Sequence, residues 1–174
     1  ETIDDRPRFD VEPGHCAEHP GLRRVASPTE ASDDYLAFMR DNIALDATTQ
    51  VFGPNLRFRE SKVNAKLPGT ATHLKYHQDI PFGPLTNQDL ITVLFLLDDV
   101  TDDNGPPEVV PGSHLGPLYD HWHEGVFTGA VSDEVTEWAE ARSIGCLGSA
   151  GSAYLLDARL LHGSAPNLSV EPRT

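Results

Sequence analysis

The stretch LITVLFLL, residues 90–97, is a continuous apolar run that includes β-branched and aromatic residues. The polar sequences TNQD (86–89) and DDVTDDNGPP (98–107) bound it on both sides. An apolar run of this length between turn-forming residues predicts a strand buried on both faces. Such a strand needs packing layers on both of its sides.

Further short strands are expected on either side of this run. LRFRESKVNAKL (56–67) alternates apolar and polar residues, and HLKYHQD (73–79) reads as a second short strand after the break at PGT. Four more segments near Gly and Pro breaks have the same character: EVVPGSH (108–114), SIGCLG (143–148), SAYLLDA (152–158) and RLLHGSA (159–165). Many short strands with few helices indicate a sandwich or a barrel.

Two segments have helical spacing or helix-start signals. Residues 27–45 begin with Ser, Thr and acidic residues and continue with apolar residues at helical intervals, and residues 132–142 begin with Ser132 as a predicted N-cap. Residues 1–27 are rich in charge, Pro, Gly and His and are expected to form a loop or arm. We therefore expect residues 1–55 to form an N-terminal arm and helix that flank a single core of residues 56–174. The last residues resemble the start of a strand, so we expect a longer natural chain.

The formal net charge is −14 for 174 residues. Such a balance repels nucleic acid and anionic membranes, so neither is expected as a partner. Five of the thirteen basic residues nevertheless lie between positions 57 and 75, namely Arg57, Arg59, Lys62, Lys66 and Lys75. They are interpreted either as an anion site or as charges on a half-exposed strand.

The two cysteines, Cys16 and Cys146, do not have zinc-site spacing. We expect free thiols, no membrane span and a cytoplasmic location.

His77 and Asp79 are the strongest candidates for a site. In a strand, side chains alternate between faces, so these two would point to one side and Gln78 to the other. A third ligand must come from elsewhere, and His162 is the best candidate because it ends an apolar strand beside a glycine. Two histidines and one carboxylate form the facial triad of non-haem Fe(II) oxygenases. The alternative is a polar cluster that holds no metal.

The residues after His162 add a co-substrate signal. Arg173 follows eleven positions later, and a guanidinium can bind the far carboxylate of a 2-oxo acid through two parallel hydrogen bonds. Ser164 is expected on the same face as His162 and can add a hydroxyl donor.

Three separated blocks, HQD, LDDVTDDNGPPEVVPGSH and HGSAPNLSVEPR, occur in this order. Together they resemble the phytanoyl-CoA dioxygenase family, which includes ectoine hydroxylase-type enzymes. The resemblance covers about residues 60–174 and implies a double-stranded β-helix, or jelly roll, that uses Fe(II), 2-oxoglutarate and O2. It implies His77, Asp79 and His162 as catalytic metal ligands. It also implies that Arg173, Ser164 and Asn64 bind 2-oxoglutarate.

The same resemblance predicts the reaction. We expect a dioxygenase that hydroxylates a small molecule and releases succinate and CO2. Related halogenases lack the carboxylate that Asp79 supplies here, so its presence favours hydroxylation. Many family members have Trp where this chain has Leu94, which weakens any transfer of substrate identity. A small molecule other than a CoA ester is preferred.

Two alternatives from other classes stay open. One is a non-catalytic or zinc-loaded binding domain of the same fold, against which the pairing of the triad with Arg173 argues. The other is a metal-dependent hydrolase or isomerase on a cupin-like barrel, for which the sequence offers no general base.

The remaining polar residues have ordinary structural interpretations. His114 is expected to stabilise a turn rather than to ligate a metal. DHWH (120–123) is expected to form a solvated loop, with the lining of a substrate entrance as the alternative. The acidic LDDVTDDNG (97–105) is expected to form a strand-ending turn rather than a calcium site, since its spacing does not fit an EF-hand loop. Lys62, Lys66 and Arg159 are either pocket residues or strand-face charges.

Overall fold

A computed structural model describes residues 2–3, 6–70, 72–83 and 85–174 of the chain. The strands are β1 (Thr2–Ile3), β2 (Arg6–Pro7), β3 (Phe9–Val11), β4 (Leu22–Ala26), β5 (Lys62–Asn64), β6 (Leu74–His77), β7 (Ile91–Phe95), β8 (Pro107–Val109), β9 (Trp122–His123), β10 (Val126–Phe127), β11 (Ile144–Gly145), β12 (Ala153–Asp157) and β13 (His162–Ser164). The helices are α1 (Pro28–Ala31), α2 (Asp33–Arg40), α3 (Ile43–Phe52) and α4 (Asp133–Glu140), and short 3-10 turns occupy Ile80–Phe82 and Ser113–Leu115.

Two antiparallel sheets hold the centre of the molecule. One has the order β11-β8-β13-β6, and the other pairs β12 with β7. The residues that follow β6 connect the two sheets, since the backbone N–H of Asp79 donates to the carbonyl of Ala158, just after β12, at 2.8 Å. The jelly-roll core therefore brings the end of β6 against the second sheet.

The apolar run that opened the sequence forms a shorter and less buried strand than predicted. β7 spans Ile91–Phe95 and every one of its residues is partly exposed, whereas Leu96 is 1% exposed and Leu97 is 48% exposed. Helix α2 contacts β7 through Phe38, which packs edge-on against Phe95 with ring centroids 4.7 Å apart. Among the described strands β7 pairs with β12 alone, so its other edge is not covered by a strand.

The loop predicted for residues 1–27 was wrong. Strand β4 lies at the centre of a three-stranded sheet, between β3 and β5. Its charged residues face outward, and this obscured the strand pattern. The predicted strand 56–67 is also shorter and is confined to Lys62–Asn64. The pairing of β4 with β5 connects the N-terminal segment to the core, while the boundary at residues 55 and 56 stays a prediction.

The helix predicted over 27–45 is divided into three. Each break coincides with a new N-cap: the Ser32 hydroxyl accepts from Asp34 N, and the Asn42 side-chain oxygen Oδ1 accepts from Leu45 N. These side chains compete with the backbone for helix hydrogen bonds and so begin new helices. The N-cap prediction for Ser132 is confirmed, because its hydroxyl accepts from Val135 N at the start of α4.

Two small apolar clusters form the buried core. One contains Tyr76, Val110, Val131, Ala139 and Leu161, and the other contains Val109, Cys146 and Leu156. Both cysteines are free thiols, as predicted. Within the described part of the chain, no helix has the length and apolar character needed to cross a membrane.

Candidate metal centre

The structure brings His77, Asp79 and His162 together. One ligand atom from each lies within 4.8 Å of the others, and no second group of this kind occurs among the described residues. Asp79 Oδ1 is 3.6 Å from His77 Nε2 and 3.8 Å from His162 Nε2. One carboxylate oxygen and two imidazole nitrogens thus face a common point, the geometry of a three-residue metal site.

The register of β6 and β13 positions the two histidines. His77 pairs directly with His162, and a bulge between His162 and Ser164 shifts the pairing beyond them. Gly163 permits this close approach, since a Cβ at that position would lie 2.8 Å from the Leu74 carbonyl oxygen. A glycine at position 163 is therefore required for the close packing of β13 against β6.

Asp79 reaches the site by a different path from the one predicted. Strand β6 ends at His77, and Asp79 adopts a helical conformation (φ −79°, ψ −24°) as the N-cap of the 3-10 turn Ile80–Phe82. The carboxylate is held by the Thr92 hydroxyl, which donates to Asp79 Oδ2 at 2.5 Å. Oδ1 is therefore directed at the histidines. The prediction of a shared strand face was wrong, although the three side chains do meet.

Backbone carbonyls orient both histidine rings. His77 Nδ1 lies 2.9 Å from the Lys75 carbonyl oxygen, and His162 Nδ1 lies 2.9 Å from that of Leu160. A carbonyl can only accept, so each Nδ1 carries a proton, and in the neutral ring Nε2 is then the atom with the free lone pair. This outer hydrogen bond is a common feature of metal-binding histidines.

The charges of the site suit a divalent cation. Burial and the neighbouring His162 lower the pKa of His77 to about 4, although Asp79 opposes this shift. Burial acts to raise the pKa of Asp79, but His162 and the Thr92 hydrogen bond outweigh it and hold the pKa below its ordinary value. At neutral pH, His77 is therefore neutral and Asp79 is ionised, the forms that ligate metal.

Gln78, between the two ligands, is a feature that sequence reasoning missed. Its fully buried side chain donates to the carbonyls of Pro117 and Arg159 and accepts from Tyr119 N. The Gln78 backbone N–H donates to His121 Nε2 at 3.0 Å. His121 is 1% exposed, so the prediction of a solvated loop at 120–123 was wrong for this residue. No short-range pattern signals these contacts.

The predicted co-substrate residue Arg173 is buried next to Lys66. The two residues form an isolated antiparallel bridge, with Lys66 N donating to Arg173 O at 2.7 Å. The Arg173 guanidinium donates to the carbonyls of Asn104 and Gly105. Burial lowers the pKa of Arg173, and burial together with Arg173 lowers the pKa of Lys66 to about 8. Two adjacent buried cations form a locally positive region in an acidic protein.

Ser164 and Asn64 lie in different surroundings. The Ser164 hydroxyl accepts from Leu74 N at 3.3 Å and lines a cavity of about 480 Å³ that also involves Tyr76 and Glu108. Asn64 is exposed at the end of β5, and strand alternation puts it on the same face as Lys62.

Burial is the largest influence on the pKa values of His77 and Asp79, and the positive charge of Lys62 is a further one that lowers both.

The other candidates have structural roles. Leu94 pairs with Tyr154 and shares the face of Thr92, which points toward Asp79. His114 lies in a 3-10 turn outside the triad, as predicted.

The acidic segment is a turn, again as predicted. Its Asn104 accepts from Thr101 N and donates to the Asp99 carbonyl. Arg159, left open by the sequence, donates to the Gly116 carbonyl at 2.7 Å.

Comparison with known proteins gives a consistent family assignment. The model of the family described as Phytanoyl-CoA dioxygenase (PhyH) matches residues 12–174. A protein of Stutzerimonas stutzeri named "Probable alpha-ketoglutarate-dependent hypophosphite dioxygenase" is 36% identical over 154 residues, covering 85% of this chain and 53% of that protein. An L-proline trans-4-hydroxylase of Streptomyces griseoviridis is 30% identical over 148 residues, covering 71% of this chain and 54% of the relative. The chain spans about half the length of these relatives.

A solved structure confirms the fold class. The crystal structure of EctD from S. alaskensis with 2-oxoglutarate and 5-hydroxyectoine superposes with a TM-score of 0.78 at 22% identity, covering 97% of this chain and 58% of that one. The predicted mainly β, jelly-roll class is thus correct.

Proposed function

The chain belongs to the phytanoyl-CoA dioxygenase (PhyH) family, and from this premise we propose that it is the core of an Fe(II)- and 2-oxoglutarate-dependent dioxygenase that hydroxylates a small molecule. The observation that carries the proposal is the convergence of His77 Nε2, His162 Nε2 and Asp79 Oδ1 on one point. The names of the relatives support the use of 2-oxoglutarate.

In this proposal His77, Asp79 and His162 hold the metal. Two imidazoles and one carboxylate are the donor set of non-haem Fe(II) sites and would leave the remaining coordination positions for 2-oxoglutarate and O2. When bound, Fe(II) and 2-oxoglutarate supply the oxidising power, so that one oxygen atom of O2 enters the substrate and the other enters succinate as CO2 leaves. The protein orients the three proposed ligands before the metal binds. The carbonyls of Lys75 and Leu160 orient the two histidine rings, and the Thr92 hydroxyl orients the Asp79 carboxylate.

Arg173, Ser164 and Asn64 are proposed to bind 2-oxoglutarate. The burial of Arg173 beside Lys66 supports this role, since two buried cations favour a carboxylate. In the described residues the guanidinium donates to two backbone carbonyls, so it would bind a carboxylate through its remaining N–H groups or after a side-chain rotation.

The alternative, a zinc-loaded or non-catalytic binding domain, uses the same triad. A structural metal site requires no buried cation pair, whereas a co-substrate carboxylate can use one, and the buried pair Lys66 and Arg173 therefore favours the oxygenase. The substrate is proposed to be a small molecule other than a CoA ester.

An anaerobic titration with Fe(II) and then 2-oxoglutarate tests the proposal. The weak visible band of the Fe(II)–2-oxoglutarate chelate is expected in the parent protein. It should be lost in His162→Ala, weakened in Arg173→Ala and kept in His114→Ala, which changes a histidine outside the triad. Tight Fe(II) binding without the band in the parent protein would contradict the oxygenase and favour the binding domain.

A further inference from the structure

Two cationic side chains, Arg59 and Lys62, lie three residues apart in the segment that leads into β5. The Arg59 guanidinium packs directly on the backbone of Gly83, where a Cβ would lie 3.1 Å from Arg59 Cζ. Gly83 ends the 3-10 turn that begins at Asp79, so the guanidinium is about one turn away from a proposed metal ligand. Lys62 is the second cation. It follows Arg59 by three residues and is an exposed residue at the start of β5.

These two cations have little compensation. Arg59 has an ion pair with its sequence neighbour Glu60, at 3.8 Å, and that carboxylate is 65% exposed. No carboxylate lies within 4.0 Å of the Lys62 ammonium in the part of the chain that the structure describes. In a chain of net charge −14, two weakly paired cations three residues apart provide a local attraction for an anion.

An aromatic surface lies next to the cations. The Phe82 ring packs edge-on against His77, with ring centroids 5.5 Å apart, and against Phe127, at 5.2 Å. Trp122 extends this surface, 5.4 Å from Phe127. Phe82 remains 45% exposed, so its ring offers apolar area beside the metal centre. Exposed aromatic surface next to convergent polar groups is typical of a ligand site.

The absence of a side chain at Gly129 leaves room for the Phe82 ring. A Cβ on Gly129 would lie 3.0 Å from Phe82 Cζ, and Gly129 has a positive φ of 68°. The loop after β10 therefore approaches the ring closely and holds it between Phe127 and His77.

We propose that the substrate is a small organic anion whose negative group binds Arg59 and Lys62 while its apolar body packs on Phe82 beside the metal centre. This inference rests on the proposed function and specifies its substrate class. A C–H bond of the apolar body would become C–OH, with one oxygen atom from O2 in the product and the other in succinate, as 2-oxoglutarate loses CO2. Hypophosphite shares the negative charge but has no apolar body, so it distinguishes the two elements of the site.

The test measures binding to the anaerobic Fe(II)–2-oxoglutarate protein by calorimetry. The probes are cyclohexanecarboxylate, its neutral isostere cyclohexanecarboxamide, and hypophosphite. We expect the carboxylate to bind about 10- to 100-fold more tightly than the amide, the effect of one or two charged hydrogen bonds. Arg59→Gln and Lys62→Gln should remove this preference, and Phe82→Ala should weaken both cyclohexane probes equally. Arg57→Gln removes the same charge at an exposed neighbour and should change nothing.

The outcomes separate this inference from the proposed function. The chelate band reports the proposed function, and it must form in the parent protein and in each variant. Equal binding of carboxylate and amide would overturn the inference, as would a preference that survives both charge variants. Loss of 2-oxoglutarate binding in Lys62→Gln would assign Lys62 to the co-substrate site and likewise overturn it. If hypophosphite were the only probe that bound, and Phe82→Ala did not change its affinity, the proposal that the substrate has an apolar body would be overturned.

Discussion

His77 and His162 face each other directly across two antiparallel strands, with ring centroids 4.2 Å apart. The pairing places two donors from residues 85 positions apart in sequence at one point, and each ring is oriented by a carbonyl two residues before it. The proposed metal site is therefore built mainly by backbone register. A side chain outside the triad, Thr92, orients its third proposed ligand, Asp79.

Thr92→Val should weaken metal binding without unfolding the protein. The change keeps the side-chain shape but removes the hydroxyl that donates to Asp79 Oδ2, so Asp79 can rotate away from the histidines. Loss of such an outer partner typically costs about 10- to 100-fold in metal affinity. Anaerobic Fe(II) titration measures the change, and Thr92→Ser, which keeps the hydroxyl, should retain the parent affinity. Equal affinities in all three proteins would contradict the role of Thr92.

Gln78→Met should lower the free energy of unfolding by about 2–4 kcal/mol, since it removes three buried hydrogen bonds and leaves their backbone partners unsatisfied. Urea denaturation of the metal-free protein measures this effect. Gln88→Met is the matched control, because Gln88 is exposed and should tolerate the change. If the two variants were equally stable, the three hydrogen bonds of the Gln78 side chain would not contribute to the stability of the protein.

Gly163→Ala should separate β13 from β6. The new Cβ would lie 2.8 Å from the Leu74 carbonyl oxygen, a backbone atom that cannot move without shifting the strand. We expect lower stability and, because His162 is the adjacent residue, weaker Fe(II) binding. Gly145→Ala introduces its Cβ 3.3 Å from a flexible Leu147 side chain and should be much milder. Thermal unfolding and metal titration of both variants give the comparison, and similar behaviour would refute the packing argument.

Lys66 should make stability depend on pH above neutrality. Burial and Arg173 lower its pKa from 10.5 in the unfolded chain to about 8 in the folded protein. Between these values the unfolded chain binds more protons, so the free energy of unfolding should rise as pH increases from 8 to 10.5. The destabilising effect of a buried charged ammonium is full below pH 8 and is relieved as pH rises through this window.

The measurement for Lys66 is the urea midpoint at several pH values between 7 and 10.5. The parent protein should gain stability relative to Lys66→Met across that window. Lys75→Met, at an exposed lysine, should follow the parent. Parallel pH profiles for the parent and Lys66→Met would show that Lys66 titrates at its ordinary pKa.

Much of the site was predictable because its residues stand in short, ordered motifs. The convergence of His77, Asp79 and His162 and the start of α4 at Ser132 were expected from short motifs and agree with the structure. The shared strand face expected from the spacing of His77 and Asp79 does not. The strand β4 was not predictable in this way. Its charged residues obscure the alternation, and it is a strand because β3 and β5 pair with it on both sides.

The sequence by itself determined the donor types, their order and the mainly β architecture, since these depend on side-chain chemistry and on the period of apolar residues. Only the tertiary structure decided how Asp79 reaches the histidines. It also decided that the Gln78 backbone N–H donates to His121 Nε2, and that the Arg59 guanidinium lies on Gly83. The physical reason is that these contacts join residues far apart in the chain, through backbone hydrogen bonds and close packing that no local pattern specifies.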